Sequence, residues 1–93
     1  MRYGVSWAIE FERSAAREFR RLDPEVQRRI RDFFQQRVLP ADHPRVSGKP
    51  LRGKQSNLWR YRIGSWRIIA EIQDHRLVIL IVRVSHRGKV YRK

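Results

Sequence analysis

Leu58-Trp59-Arg60-Tyr61-Arg62-Ile63-Gly64-Ser65-Trp66-Arg67-Ile68-Ile69-Ala70-Glu71-Ile72-Gln73 is the stretch whose reading decides the fold. It divides into two alternating runs around Gly64-Ser65, a dipeptide suited to a tight hairpin turn. Successive side chains of a strand point to opposite faces. Trp59, Tyr61 and Ile63 therefore share one face of the first run, and Arg60 and Arg62 take the other. In the second run Trp66, Ile68, Ala70 and Ile72 form the core face, leaving Arg67 opposite. A two-residue loop pairs Ile63 with Trp66 and Arg62 with Arg67. Two arginines directly across a strand pair repel each other, and Arg60 adds a third cation one step along. An arrangement of this kind is readily kept where an anion sits, so this face is a candidate phosphate site. Glu71 points the same way and offsets part of the charge.

The flanking segments assemble around this hairpin. Asp74-His75 supplies a turn, and Leu77 to Val84 is apolar on both sides, which suits a central strand covered on both faces. On the other flank, Pro40 to Gly53 holds three prolines and two glycines and reads as an irregular basic loop. Near the start of the chain, Tyr3 to Phe11 alternates as a half-buried strand, with Val5, Trp7, Ile9 and Phe11 on one side. A helical stretch follows over about Arg13 to Leu22, with Ala15, Ala16, Phe19 and Leu22 on one face. Asp23-Pro24 then reads as an N-cap and a proline at the first helical position. The second helix runs to about Val38, with Val26, Ile30, Phe33 and Phe34 inward and Arg28, Arg29 and Arg31 mostly outward. Helices joined this closely predict an αα-hairpin. The order β-α-α-β-β-β predicts an α+β fold with a two-helix hairpin packed on one face of a small sheet, whose strand order the alternation leaves open.

Ninety-three residues make one domain over residues 1–93, since so short a chain builds a single hydrophobic core. Three Trp, three Tyr and four Phe within a 41% hydrophobic composition are enough for that core. The absence of cysteine excludes disulfide and thiol chemistry. The unbroken apolar run Leu77 to Val82 is too short to span a bilayer, and Glu10 and Glu12 do not suit a signal peptide. A cytoplasmic location is the default expectation. Charge is the informative quantity: twenty-two Lys plus Arg against nine acidic residues give +13 and a pI near 11.6. Such an imbalance points to a polyanion, nucleic acid before a membrane surface, because the basic residues do not gather on one long amphipathic helix.

The C-terminal segment Val84-Ser85-His86-Arg87-Gly88-Lys89-Val90-Tyr91 joins cations to an imidazole and an aromatic. Single-stranded RNA is commonly gripped by phosphate-binding cations and aromatics that stack on bases. Arg52, Lys54, Lys89 and Arg92 are further candidates for RNA phosphates. A metal site is disfavoured, because His43, His75 and His86 are widely spaced and no acidic cluster accompanies them. No cofactor is expected.

Along nearly the whole chain the residues resemble the RelE branch of the RelE/ParE toxin superfamily. The likeness is carried by Trp7, Ala16, Leu22-Asp23-Pro24, Leu51-Arg52-Gly53, Trp59-Arg60-Tyr61-Arg62 with Trp66-Arg67, and His86-Arg87-Gly88-Lys89-Val90-Tyr91. That last segment resembles the H-R-x-x-V-Y ending of many RelE-like sequences and is the most specific match. The resemblance implies an antiparallel-rich sheet under two helices. It also implies metal-independent cleavage of messenger RNA in the ribosomal A site, by attack of a ribose 2′-hydroxyl on the adjacent phosphate. It further implies a cognate antitoxin as partner, beside the ribosome and its messenger RNA.

Carried over by position, Arg60 and Arg62 fall where the archetypal toxin has two functional lysines, Arg67 and Arg87 match its functional arginines, and Tyr91 its functional tyrosine. Arginine does not give up its proton in a protein, so neither Arg60 nor Arg62 inherits a role as general base. His86, with an ordinary pKa near neutrality, and Glu71 are the candidate bases. Two other functions compete: a ParE-like protein that blocks DNA gyrase, and an RNA- or ribosome-binding module without catalysis. The first branch generally lacks the basic set with its terminal tyrosine. The arginine-for-lysine changes keep the second open.

Overall fold

In the computed structural model, which describes residues 6–51 and 57–86, a five-stranded sheet carries a pair of helices. Strand β1 spans Ala8–Phe11, helix α1 Arg13–Arg20 and helix α2 Pro24–Phe33. A two-residue strand β2 follows at Lys49–Pro50, then β3 at Leu58–Ile63, β4 at Trp66–Gln73 and β5 at Val78–His86. The order across the sheet is β1-β5-β4-β3-β2, with β1 parallel to β5 and every other pair antiparallel. The α+β architecture and the helical hairpin on one face agree with the reading of the sequence. The parallel β1–β5 pair supplies what the alternation left open.

The helices end differently from their sequence pattern. Helix α1 stops at Arg20, and the Gln27 side-chain amide of α2 donates to the carbonyls of Phe19 (3.1 Å) and Leu22 (3.0 Å). The Phe19 carbonyl also accepts from the Leu22 amide at 3.1 Å, and Gln27 adds a side-chain bond at this helix end that fastens the hairpin. Asp23 and Pro24 occupy the expected N-cap and first-turn positions of α2, although Asp23 makes no side-chain capping bond. Past Phe33 the helix widens into a π turn, Phe34–Val38. That turn keeps both Phe34 and Val38 buried at its two ends.

The core lies between this hairpin and one face of the sheet, around Ala15, Ile30, Phe34, Tyr61, Ile68, Ile79 and Ile81. Tyr61 is wholly buried, with Phe33 and Phe34 packed edge-on against it at ring distances of 5.9 and 5.1 Å. Its hydroxyl donates to the Pro44 carbonyl at 2.8 Å. Burial pushes this phenol well above its ordinary pKa, against the opposing pull of the Arg45 charge.

Strand β5 is central, as expected, but among the described residues helices cover only one of its faces. Its pairing with β4 slips between Ile69 and Ala70: Ile69 faces Arg83, whereas Ala70 faces Ile81. The extra residue, Val82, forms a β-bulge that changes the phase of the strand. Ile79 and Ile81 reach the core before it and Val84 after it. Beyond the end of β1, the Val84 amide donates instead to the Glu18 carboxylate of α1 at 2.8 Å.

The basic loop proves to be ordered where it is described. A 3₁₀ turn at Pro44–Val46 starts with the Arg45 amide donating to His43 Nδ1 at 3.2 Å. Arg45 then binds both oxygens of Asp74 (3.2 and 3.1 Å), and His43 Nε2 lies 3.0 Å from Asp74 Oδ1. The loop is thereby tied to the β4–β5 turn. Hydrogen bonds from Arg45 and then His43 hold the Asp74 carboxyl below the ordinary carboxylate range. A carboxylate depressed on folding adds stability above its unfolded pKa, and this is lost as pH falls through the lower folded value. Asp74→Asn should cost about 0.5–1 kcal/mol at neutral pH, since the group is exposed and screened. The deficit should be constant above about pH 5 and shrink below the unfolded pKa of about 3.9. Urea unfolding of both proteins across that range checks it.

Candidate nucleic-acid interface on the open face of the sheet

The face of the sheet away from the helices carries the arginines. The β3–β4 register pairs Arg62 with Arg67 and Ile63 with Trp66, around a turn in which Gly64 takes the left-handed conformation (φ 60°). Arg60 pairs with Ile69, whose other neighbour is Arg83. Arg67 in turn faces Ser85. Two adjacent rows result, Arg62-Arg67-Ser85 and Arg60-Ile69-Arg83.

A depression of about 380 Å³ combines the apolar side chains of Leu51, Leu58, Ile69 and Val82 with the cations Arg67 and Arg83. Apolar surface beside guanidinium groups suits a base and its phosphate together. Arg83 is the residue that sequence reading missed. In unbroken alternation it would share the phase of Ile79 and Ile81 and enter the core. The bulge at Val82 turns it to the open face, where it is exposed. An arginine in the buried phase of a strand was the available signal.

The candidate bases are placed less favourably. His86 faces Trp66 and meets its ring edge-on at 4.9 Å, on the helical side of the sheet. It shares a recess there with Glu18, Leu22 and Val26. It therefore does not join Arg62 and Arg67. Glu71 is on the arginine face but accepts hydrogen bonds from the amides of Asn57 (3.1 Å) and Gln73 (3.3 Å). It lies four residues along β4 from Arg67, roughly 13 Å at strand spacing. Arg87, Tyr91, Lys89, Arg92, Arg52 and Lys54 lie outside the described residues.

A family model described as the ParE toxin of the type II toxin–antitoxin system parDE matches residues 9–91. Toxin RelG of Mycobacterium tuberculosis is 28% identical over 89 residues, covering 96% of this chain and all of that one. The toxin–antitoxin complex RelBE2 of the same organism matches in structure with a TM-score of 0.77 at 27% identity, over 90% of this chain and 94% of that one. The isolated E. coli RelE toxin matches with a TM-score of 0.71 over 86% and 83% of the two chains. At 18% identity, that last likeness is one of fold.

The Arg62–Arg67 pairing has a thermodynamic signature of its own. Like charges directly opposite on a sheet destabilise it by a few tenths to about 1 kcal/mol, and salt screens exposed charges. Arg62→Gln should accordingly raise unfolding stability by about 0.5 kcal/mol at low salt. The gain should fade toward 1 M salt, where the Debye length is only about 3 Å. Denaturant unfolding at the two salt concentrations measures it, and a variant less stable at low salt would contradict the repulsion.

Proposed function

The chain belongs to the ParE toxin family of type II toxin–antitoxin systems and is a toxin of the RelE type, and we propose that it is a metal-independent endoribonuclease that cuts messenger RNA in the ribosomal A site. One observation carries this reading: three arginines that repel one another, Arg60, Arg62 and Arg67, share an open sheet face that a bulge extends with Arg83. Their arrangement answers a phosphate better than it answers the fold.

In the proposed reaction a ribose 2′-oxygen attacks the adjacent phosphorus while the bond from phosphorus to the 5′-oxygen breaks. The products are a 2′,3′-cyclic phosphate and a 5′-hydroxyl. Negative charge grows on the non-bridging oxygens and on the leaving oxygen. Fixed guanidinium groups aimed at those atoms stabilise the transition state more than the ground state. Arg62 and Arg67 are assigned that task, with Arg60 and Arg83 holding the flanking backbone. Arg87 is assigned to the same phosphate, and Tyr91 to stacking on a base and setting the in-line approach. Arginine donates hydrogen bonds but does not accept the 2′-proton. Among the described residues the arginine face contributes charge and position, and proton transfer falls to other groups.

The proposed setting is the cytoplasm, with ribosome and messenger RNA as targets and a cognate antitoxin as the regulating partner. RelBE2 of Mycobacterium tuberculosis and the intact RelBE of E. coli are toxin–antitoxin complexes. Among the described residues no helix is long and apolar enough to cross a membrane. The ParE description of the family model favours a second reading, a toxin that blocks DNA gyrase.

Cleavage of messenger RNA on programmed ribosomes, mapped by 5′ ends, decides between them. The wild type should cut at fixed codon positions only when ribosomes are present, and should leave gyrase supercoiling unaffected. Arg62→Ala and Arg67→Ala should each slow single-turnover cleavage about 10²–10³-fold, the usual loss for one transition-state donor. Tyr91→Ala should slow it about ten- to hundredfold through lost stacking, and Tyr91→Phe should restore most of that. Inhibited supercoiling with intact messenger RNA would establish the gyrase reading instead.

A further inference from the structure

A second cationic recess opens at the β3 edge, where among the described residues the two-residue β2 pairs with Trp59 and Arg60 and stops short of Arg62. It measures about 430 Å³, within the roughly 300–1,000 Å³ typical of small-ligand sites. Phe33 and Arg37 reach it from the end of α2, Gly48 and Lys49 from the segment entering β2, and Arg60 and Arg62 from β3. With Ser47, seven described residues line it; four are cations and none is acidic.

Each wall depends on a separate backbone device. The π turn Phe34–Val38 carries Arg37 on its exposed side while Phe34 and Val38 stay buried. Gly48 has φ 80°, and a Cβ there would fall 2.5 Å from the Arg60 carbonyl oxygen, so the segment runs flush against β3. The Trp59 indole fastens it by donating to the Ser47 carbonyl at 2.6 Å. The register then sets Lys49 directly across from Arg60. This is a second like-charge pair across strands, joined through β3 to the Arg62–Arg67 pair. Phe33 is half-buried, held edge-on by Phe34 and Tyr61 at 5.5 and 5.9 Å, and still borders the recess.

We propose that this groove holds a nucleotide of the RNA strand next to the one gripped on the arginine face, with Arg37 and Lys49 on its two flanking phosphates and Phe33 against its base. The proposal rests on the ribonuclease reading and extends its binding surface. Repeated like-charge pairing favours a chain of phosphates over a single anion, because successive cations follow successive charges. An aromatic among the cations favours RNA over an acidic peptide, whose carboxylates satisfy the cations but give Phe33 no flat partner.

The test is binding of a short fluorescein-labelled, fully 2′-O-methylated oligoadenylate, which cannot be cut by 2′-hydroxyl attack, to the isolated protein without ribosomes. Fluorescence anisotropy is followed across a salt series. Each phosphate contact with single-stranded RNA contributes about 0.7 to the slope of log affinity against log salt. The double variant Arg37→Ala/Lys49→Ala should lose about 1.4 of that slope. The control Arg13→Ala/Arg17→Ala removes the same charge from exposed positions of α1 and should lose less than half as much. Phe33→Leu keeps apolar volume and should weaken binding about tenfold with the slope unchanged.

Equal losses in groove and control variants, or unchanged binding by Phe33→Leu, would overturn the proposal. So would a groove variant that keeps RNA binding at the control level but no longer binds a labelled oligoglutamate peptide, which would mark a protein-docking surface. A wild type that binds the probe through the groove yet cuts nothing on programmed ribosomes would remove the ribonuclease reading and leave the groove standing.

Discussion

Strand β5 has to bury apolar side chains of both phases, Ile79 and Ile81 first and Val84 later, beneath helices that among the described residues cover one face. A regular strand cannot do this, because its side chains alternate without exception. One extra residue opposite the Ile69–Ala70 step resolves the conflict. Core and interface meet in that residue: it returns Val84 to the helices and releases Arg83 and Ser85 to the side where Arg67 stands. Bulges bend and twist the strands that carry them.

The same sheet divides its labour by face. On the helical side, closely packed aromatics around Tyr61 provide rigidity, and hydrogen bonds to the Pro44 and Ser47 carbonyls extend that rigidity into the basic loop. On the open side, cations stand across from cations, an arrangement that costs stability and is stiffly supported from behind. A site meant to favour a transition state gains from such support, because its charges need not reorganise when the reaction charge appears.

What could be read from sequence follows from the range of the interactions involved. The β3–β4 hairpin was legible down to its register, since a two-residue turn and strict alternation are local facts. The helical hairpin was legible through Asp23-Pro24 and its apolar spacing. The parallel partnership of β1 and β5 was not, because it joins segments some seventy residues apart and leaves no mark within either. The π turn was hidden for a different reason: Phe34 and Val38 fit an ordinary α-helical face equally well. Arg83 was half visible, as a charge out of phase in an apolar strand. Arg37 and Lys49 carry no local signal, and only the register of β2 and the turn after α2 bring them to the recess that Arg60 lines.

The carboxylate of Glu18 on the Val84 amide has a consequence for the protein among its neighbours. Beyond Phe11 no described strand pairs with this edge of β5, and unpaired edges invite strands from other molecules. An incoming chain would have to displace a charge-assisted bond and put an ordinary peptide carbonyl in its place. It would also have to approach past helix α1, from which Glu18 reaches down. A single acidic side chain thus occupies the backbone donor that a neighbouring strand would need.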